Sequence, residues 1–227
     1  MTDGTADDLE LATAELLGAL TYGQLRGYTT AVALVPLAPD LERTERLLGF
    51  ADRERDRYRR MRARLEELTD LPGPVMERQK AAFDRFFDDL TLDDWLGGVT
   101  FLAVGLPLAA DFARAVAQTV DDETATVLVE TLAGRENTAG YAREELQRLL
   151  DDPDVQERAR KLVADVIGLA LTEFTGTLAT TDALRNLFER HAQREDSTAE
   201  RVVKHLAIDV LEGHRRRMHA LGLDDLE

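Results

Sequence analysis

An all-α fold is predicted: a four-helix bundle of two helical hairpins joined by a long crossover, with additional helices at the C-terminal end. Three observations predict it. Apolar residues recur at steps of three and four through most of the 227 residues, and no run alternates with period two. Glycine and proline are few, 15 and 6, while Ala, Leu, Glu, Asp and Arg dominate, which is a helix-forming composition. The prolines and acidic clusters fall where helices of bundle length would start and stop.

The first helix is expected over 8–35, with Leu9, Ala12, Leu16, Leu20, Gln24 and Ala31 on one face. "PLAPD" stops it at Pro36 and Pro39. The second covers 41–68, with the stripe Leu47, Ala51, Glu54, Tyr58, Met61, Leu65, Leu68, and ends at "TDLPGP". A short helix is expected within 75–90, carrying Phe83, Phe86 and Phe87, which read as core. "TLDD" at 91–94 offers a capping box from Thr91 to Asp94. A third long helix follows to about Val120, and Pro107 should bend it. "DDET" starts a fourth, running from 121 to about 150, and "DDPD" ends it. Helices over 155–178 and 181–194 come next. "STAE" at 197–200 then opens a last helix to Leu221.

The loops set the topology. The first two long helices are joined by a short turn, as are the third and fourth, and about 26 residues separate the pairs. Two hairpins with one long crossover is the ferritin-like way of closing a four-helix bundle, and an ordinary up-down bundle with a lid helix is the competitor. We read a single domain, 1–227, with the bundle core over 8–150 and the helices of 155–221 packed on it.

Composition narrows the function. There is no cysteine, so disulfides, thiolate metal sites and cysteine nucleophiles are excluded. The start, "MTDGTADDLE", does not resemble a signal peptide, and "VTFLAVGLPLAA" is too short to span a bilayer. A soluble cytoplasmic protein is expected, with no membrane association. The formal net charge of −16 repels phosphate backbones and argues against nucleic acid as a partner. Seven arginines stand in "ADRERDRYRRMRARLEEL", but Asp52, Glu54, Asp56, Glu66 and Glu67 interleave them, so a salt-bridged helix face is expected rather than an RNA stripe. "HRRRMH" at 214–219 suits a helix C-terminus without any ligand. His205 and Asp209 share a face but make only a weak start to a metal site. No phosphate loop or Ser-His-Asp arrangement can be argued.

Glu54 is the anomaly, a carboxylate on an apolar stripe with Arg57 one turn further on. Ferritin-like di-metal sites use a carboxylate from one helix of each hairpin and Glu-x-x-His from the other. Glu-x-x-His occurs nowhere, and all four histidines lie in the last forty residues. "ELLGALTYGQLRGY", "DDWLGGVTFLAVGLPLAADF", "DDETATVLVETLAGREN" and "EGHRRRMHALGL" resemble, in order and spacing, segments of the actinobacterial ferritin-like proteins related to tRNA methylthio-isopentenyl-adenosine hydroxylase, over about 15–221. The resemblance implies a degenerate di-iron site. Its first-helix glutamate position falls on Gln24, and its Glu-x-x-His on Glu54 and Arg57. The third-helix acid falls on Leu106, with Asp111 as the alternative that would add a carboxylate, and the fourth-helix pair falls on Gly134 and Asn137.

The expectation is a metal-free, vestigial relative of the di-iron tRNA hydroxylases, without catalytic residues or cofactor, in a binding, scaffolding or regulatory role. Arg57 would stand in for the missing metal charge, with Gln24 and Asn137 as hydrogen-bonding neighbours of Glu54. A protein partner or a homo-oligomer is expected. One alternative is an active di-iron hydroxylase or oxygenase with an altered ligand set. Another is a homo-oligomeric structural helical protein. Were Glu54 and Arg57 instead a solvated pair, they would contribute only a few tenths of a kcal/mol.

Overall fold

The structure is a computed structural model. It describes the backbone of residues 3–132, 135–180 and 182–223, and side chains over 9–132, 135–172 and 185–223. Among the described residues the secondary structure is helical throughout, so the all-α expectation stands. Helix α1 spans Asp3–Leu34, α2 Leu41–Leu68 and α3 Pro72–Asp88. Helix α4 (Trp95–Thr100) continues through a π-helical turn, Phe101–Gly105, into α5 (Leu106–Val116). Then come α6 (Asp122–Leu132), α7 (Arg135–Leu149), α8 (Pro153–Thr180), α9 (Asp182–Arg194) and α10 (Ala199–Leu221).

The caps follow from short polar side chains, three positions after the expected one at α4 and one position after it at α10. Asp40 caps α2, its carboxylate accepting from the Arg43 amide at 2.9 Å. Asp94 caps α4 by accepting from the Gly97 amide at 2.9 Å, where Thr91 had been expected. Thr198, not Ser197, caps α10. At the other end of α10, Gly222 takes the left-handed conformation, φ 68°, that lets its own and the next amide close back on the helix. At Pro107, where a bend is expected, the helix leaves α geometry in the preceding turn. Pro107 cannot donate, and its ring crowds the carbonyl four residues back. The backbone widens instead, and the Leu106 amide bonds to the Phe101 carbonyl, five residues back.

Helices α1 and α2 form the first hairpin, and the α4–α5 helix with α6–α7 forms the second. Between the hairpins α2 packs on α6, and within the second hairpin α4 and α5 pack on α7. The crossover helix α3 lies on α1 so closely that a methyl on Gly18 would meet Val75 Cγ1 at 2.4 Å. Of the C-terminal helices, α8 covers α3, α4 and the π turn, α9 lies on α1, and α10 lies on α5 and α9. One stretch, Trp95–Thr119, is long and apolar enough to cross a membrane, against the shorter run read from sequence, but 78% of its most apolar window is buried inside the bundle. That is the burial of a core helix.

On α2 the buried positions are Leu47, Phe50, Ala51, Glu54, Arg57, Met61, Arg64 and Leu65, which share one face of the helix. Tyr58, expected on this face, is only half-buried. Each fully enclosed leucine here, such as Leu47 or Leu65, contributes about 2 kcal/mol of apolar burial. That burial fixes the rotation of the helix and forces Glu54 and Arg57 inward with it.

Candidate functional site

Glu54 is 1% exposed, midway along α2 and facing α1, α6 and α7. Its Oε1 accepts from Arg57 Nη1 at 2.5 Å. Its Oε2 accepts from Gln24 Nε2 at 2.5 Å and from Arg135 Nη2 at 3.0 Å. Gln24 comes from the inner face of α1, and its Nε2 also donates to the Glu54 carbonyl at 3.1 Å. Arg135 Nη2 donates in turn to Gln24 Oε1, which fixes which way the amide points. Arg57 Nε donates to the Thr131 carbonyl of α6 at 2.8 Å. A fixed fork of donors suits such bidentate work better than a lysine would.

The cluster is electrostatically lopsided. Two guanidiniums face one carboxylate. Burial pushes the Glu54 carboxyl up, but the charges of Arg135 and Arg57 and the Gln24 amide outweigh it and hold the acid below its usual range. Burial pushes Arg135 down, opposed by Glu54 and reinforced by Arg57. A guanidinium starts so high that it stays charged at neutral pH.

Arg135 is the residue that sequence reasoning missed, and a signal for it existed. Thr131, Arg135, Thr138, Ala142 and Leu146 are all buried at steps of four and three, so an arginine interrupts the inner stripe as Glu54 interrupts that of α2. Asn137 is corrected by the same geometry. Two residues from Arg135, it lies about 200° around the helix and is exposed, so it makes no approach to Glu54. Gly134 lies outside the described residues. Leu106 is buried and would lie 3.8 Å from a methyl on Gly27, in the wall beside the cluster. Asp111 is not brought to Glu54. It pairs with Arg114 at 2.7 Å and with Arg217 of α10 at 2.5 Å. Arg217 is therefore an interhelical partner rather than a solvated helix-end charge. Next to it, His214 is buried, and burial and the Arg217 charge push its ring down to about 4 against the pull of Asp111.

The expected salt-bridged face of α2 is present. Arg55, Arg59 and Arg62 pair with Asp52, Asp56 and Glu66. Arg64 departs from that face, being buried against Thr124 of α6.

The family model of the ferritin-like domain of actinomycetes matches residues 7–191. The chain belongs to that family. No curated protein matches it. The matched range holds all of α2 to α8 and ends inside α9, so α10 of this ferritin-like domain lies beyond it.

A ferritin-like bundle invites the question of whether its centre suits a di-metal centre. The side chains here do not fit one. Both Glu54 oxygens are taken by cationic or amide donors, and a guanidinium has no lone pair to give a metal. Two fixed positive charges would also repel an arriving cation. Among the described residues no group of three or more His, Asp or Glu is placed to share a metal ion, and His205 and Asp209 are exposed.

A cavity of about 180 Å³ lies against the cluster, between α1 and α5 and under α3, α8, α9 and α10. Its existence depends on small residues. Gly23 and Gly27 of α1, Gly105 of the π turn and Ala109 of α5 all line it. Phe83, Phe86 and Phe87, expected as core, are half-buried and form its α3 wall. Gly23 has no latitude, because a methyl there would meet the Phe83 ring at 2.5 Å.

Proposed function

We propose that this ferritin-like domain works without a metal, as a binding or scaffolding bundle descended from di-iron hydroxylases of the tRNA methylthio-isopentenyl-adenosine type. One observation carries the reading: Glu54 is saturated by Gln24, Arg57 and Arg135. A carboxylate that held metal would need its lone pairs, and here each oxygen accepts a charge-assisted bond instead. Gln24 and Leu106, at two further ligand positions of the resemblance, offer no negative charge. The bundle centre then contributes a fixed internal charge pattern, and function resides in what the bundle binds, a protein partner or second copy included. The arginines of α2 support a role away from nucleic acid, because Arg55, Arg59 and Arg62 each have an acidic partner within four residues.

Metal analysis by mass spectrometry tests the reading. Protein expressed with iron supplementation should carry far less than one iron or manganese per chain. A stoichiometric metal pair that survives dialysis would overturn it.

A further inference from the structure

We propose that the cavity beside Arg135 binds a medium-chain monocarboxylate, its head on the Arg135 guanidinium and its alkyl body among the phenylalanines. This rests on the metal-free reading and says what such a bundle would hold.

The cavity is chemically two-part. Among the described residues lining it, Gln24 and Arg135 are the only polar side chains, and both sit at one place, where the wall meets the Glu54 cluster. The rest is aliphatic or aromatic. An apolar cavity of about 150 Å³ is enough to hold benzene, so 180 Å³ suits a body of roughly six to ten carbons. Ala109, in the wall, is exposed, so the cavity opens toward solvent beside α5.

The charge pattern selects the head. Among the described residues Glu54 is the one acid set against the two buried guanidiniums, which leaves one positive charge over. Both described bonds of Arg135 leave from Nη2. Its Nε is buried without a hydrogen-bond partner, although the residue is only 8% exposed. A buried donor without an acceptor is costly, and a carboxylate oxygen would accept a charge-assisted bond from this Nε–H. One added carboxylate makes the cluster neutral, two acids against two guanidiniums. A phosphate monoester carries nearly two negative charges at neutral pH and would overshoot. An alcohol of the same length would fill the body and leave the charge unanswered.

The test is calorimetric titration of the full chain with decanoate, 1-decanol and decyl phosphate, all below their aggregation limits. Metal content is measured on the same preparation. Decanoate should bind with one-to-one stoichiometry, at least about tenfold tighter than 1-decanol, as a charge-assisted bond implies. Arg135→Met leaves a one-to-one Glu54–Arg57 pair and should fold; it should erase the preference for acid over alcohol. Gly27→Leu should abolish binding of both, since among the described residues Leu106 at 3.8 Å is the only close neighbour of the new Cβ and the side chain fills the cavity. Equal binding of acid and alcohol by the unaltered chain, or an acid preference that survives in Arg135→Met, overturns the assignment of the head. Tighter binding of decyl phosphate overturns the choice of carboxylate. No binding to metal-free protein overturns the proposal and leaves the metal-free reading standing, whereas stoichiometric iron overturns both.

Discussion

Glu54 and Arg64 stand ten residues apart on the buried face of α2, and their surroundings are opposite in charge. At Glu54 one carboxylate meets two guanidiniums, and the three side chains are 1%, 6% and 10% exposed. At Arg64 one guanidinium meets Glu67, Asp121 and Glu123, whose side chains are 60%, 35% and 72% exposed. The excess charge at Arg64 is negative and sits in water, where it costs little. The excess at Glu54 is positive and belongs to Arg135, in the wall of an apolar cavity. A count of salt bridges, two at Glu54 and three at Arg64, would therefore mislead. What matters is where the unmatched charge ends up, because burial decides whether water can answer it.

The largest effect should come from Glu54→Leu. It removes the only described negative charge between Arg57 and Arg135 and leaves two like charges buried together. We expect a loss of about 3–5 kcal/mol in urea unfolding. The triple change Glu54→Leu, Arg57→Met, Arg135→Met should recover most of it. The double change Glu54→Leu, Arg57→Met should not, because Arg135 stays buried and unpaired. A near-neutral Glu54→Leu would break the comparison by showing that water reaches the cluster.

Arg57→Met should cost less, about 1–3 kcal/mol. Glu54 keeps Arg135 and Gln24 on Oε2, and the losses are the donors to Glu54 Oε1 and to the Thr131 carbonyl. Had Arg57 been the sole counterion, as the sequence suggested, this change would rival Glu54→Leu. Unfolding midpoints of the two variants measured side by side would show whether Arg135 compensates.

Arg64→Met should be the mildest, at or below about 1 kcal/mol, since the three carboxylates it leaves are solvated. Its effect should also shrink between low and high salt, as exposed ion pairs are screened, while that of Glu54→Leu should hardly change. A salt-insensitive Arg64→Met would place that cluster in the buried class and remove the contrast.

Much of the architecture was legible because it rests on periodicity and punctuation. The limits of α2 agree with the reading from its stripe and flanking prolines, and the two-hairpin order follows from loop lengths. Reading Glu54 and Arg57 as inward also followed from local spacing, because residues three and four apart share a face. The fourth helix is expected over 121–150, and its described residues, Asp122–Leu132 and Arg135–Leu149, are helical. Asn137 belongs to this helix: a ligand spacing points to it, while the buried stripe runs through Arg135 and leaves Asn137 exposed.

The sequence by itself determined the helices, their amphipathic faces and the absence of Glu-x-x-His, since each depends on residues within a turn or two of one another. Only the tertiary structure decided that Arg135 reaches Glu54 across 81 residues of chain. It also decided that Asp111 turns away to Arg217 and that small residues on α1 and α5 leave a cavity between them. The reason is physical. Helical spacing fixes which side of a helix a residue occupies, but the balance of charge in a buried cluster is summed over several helices. No stripe read singly contains that sum.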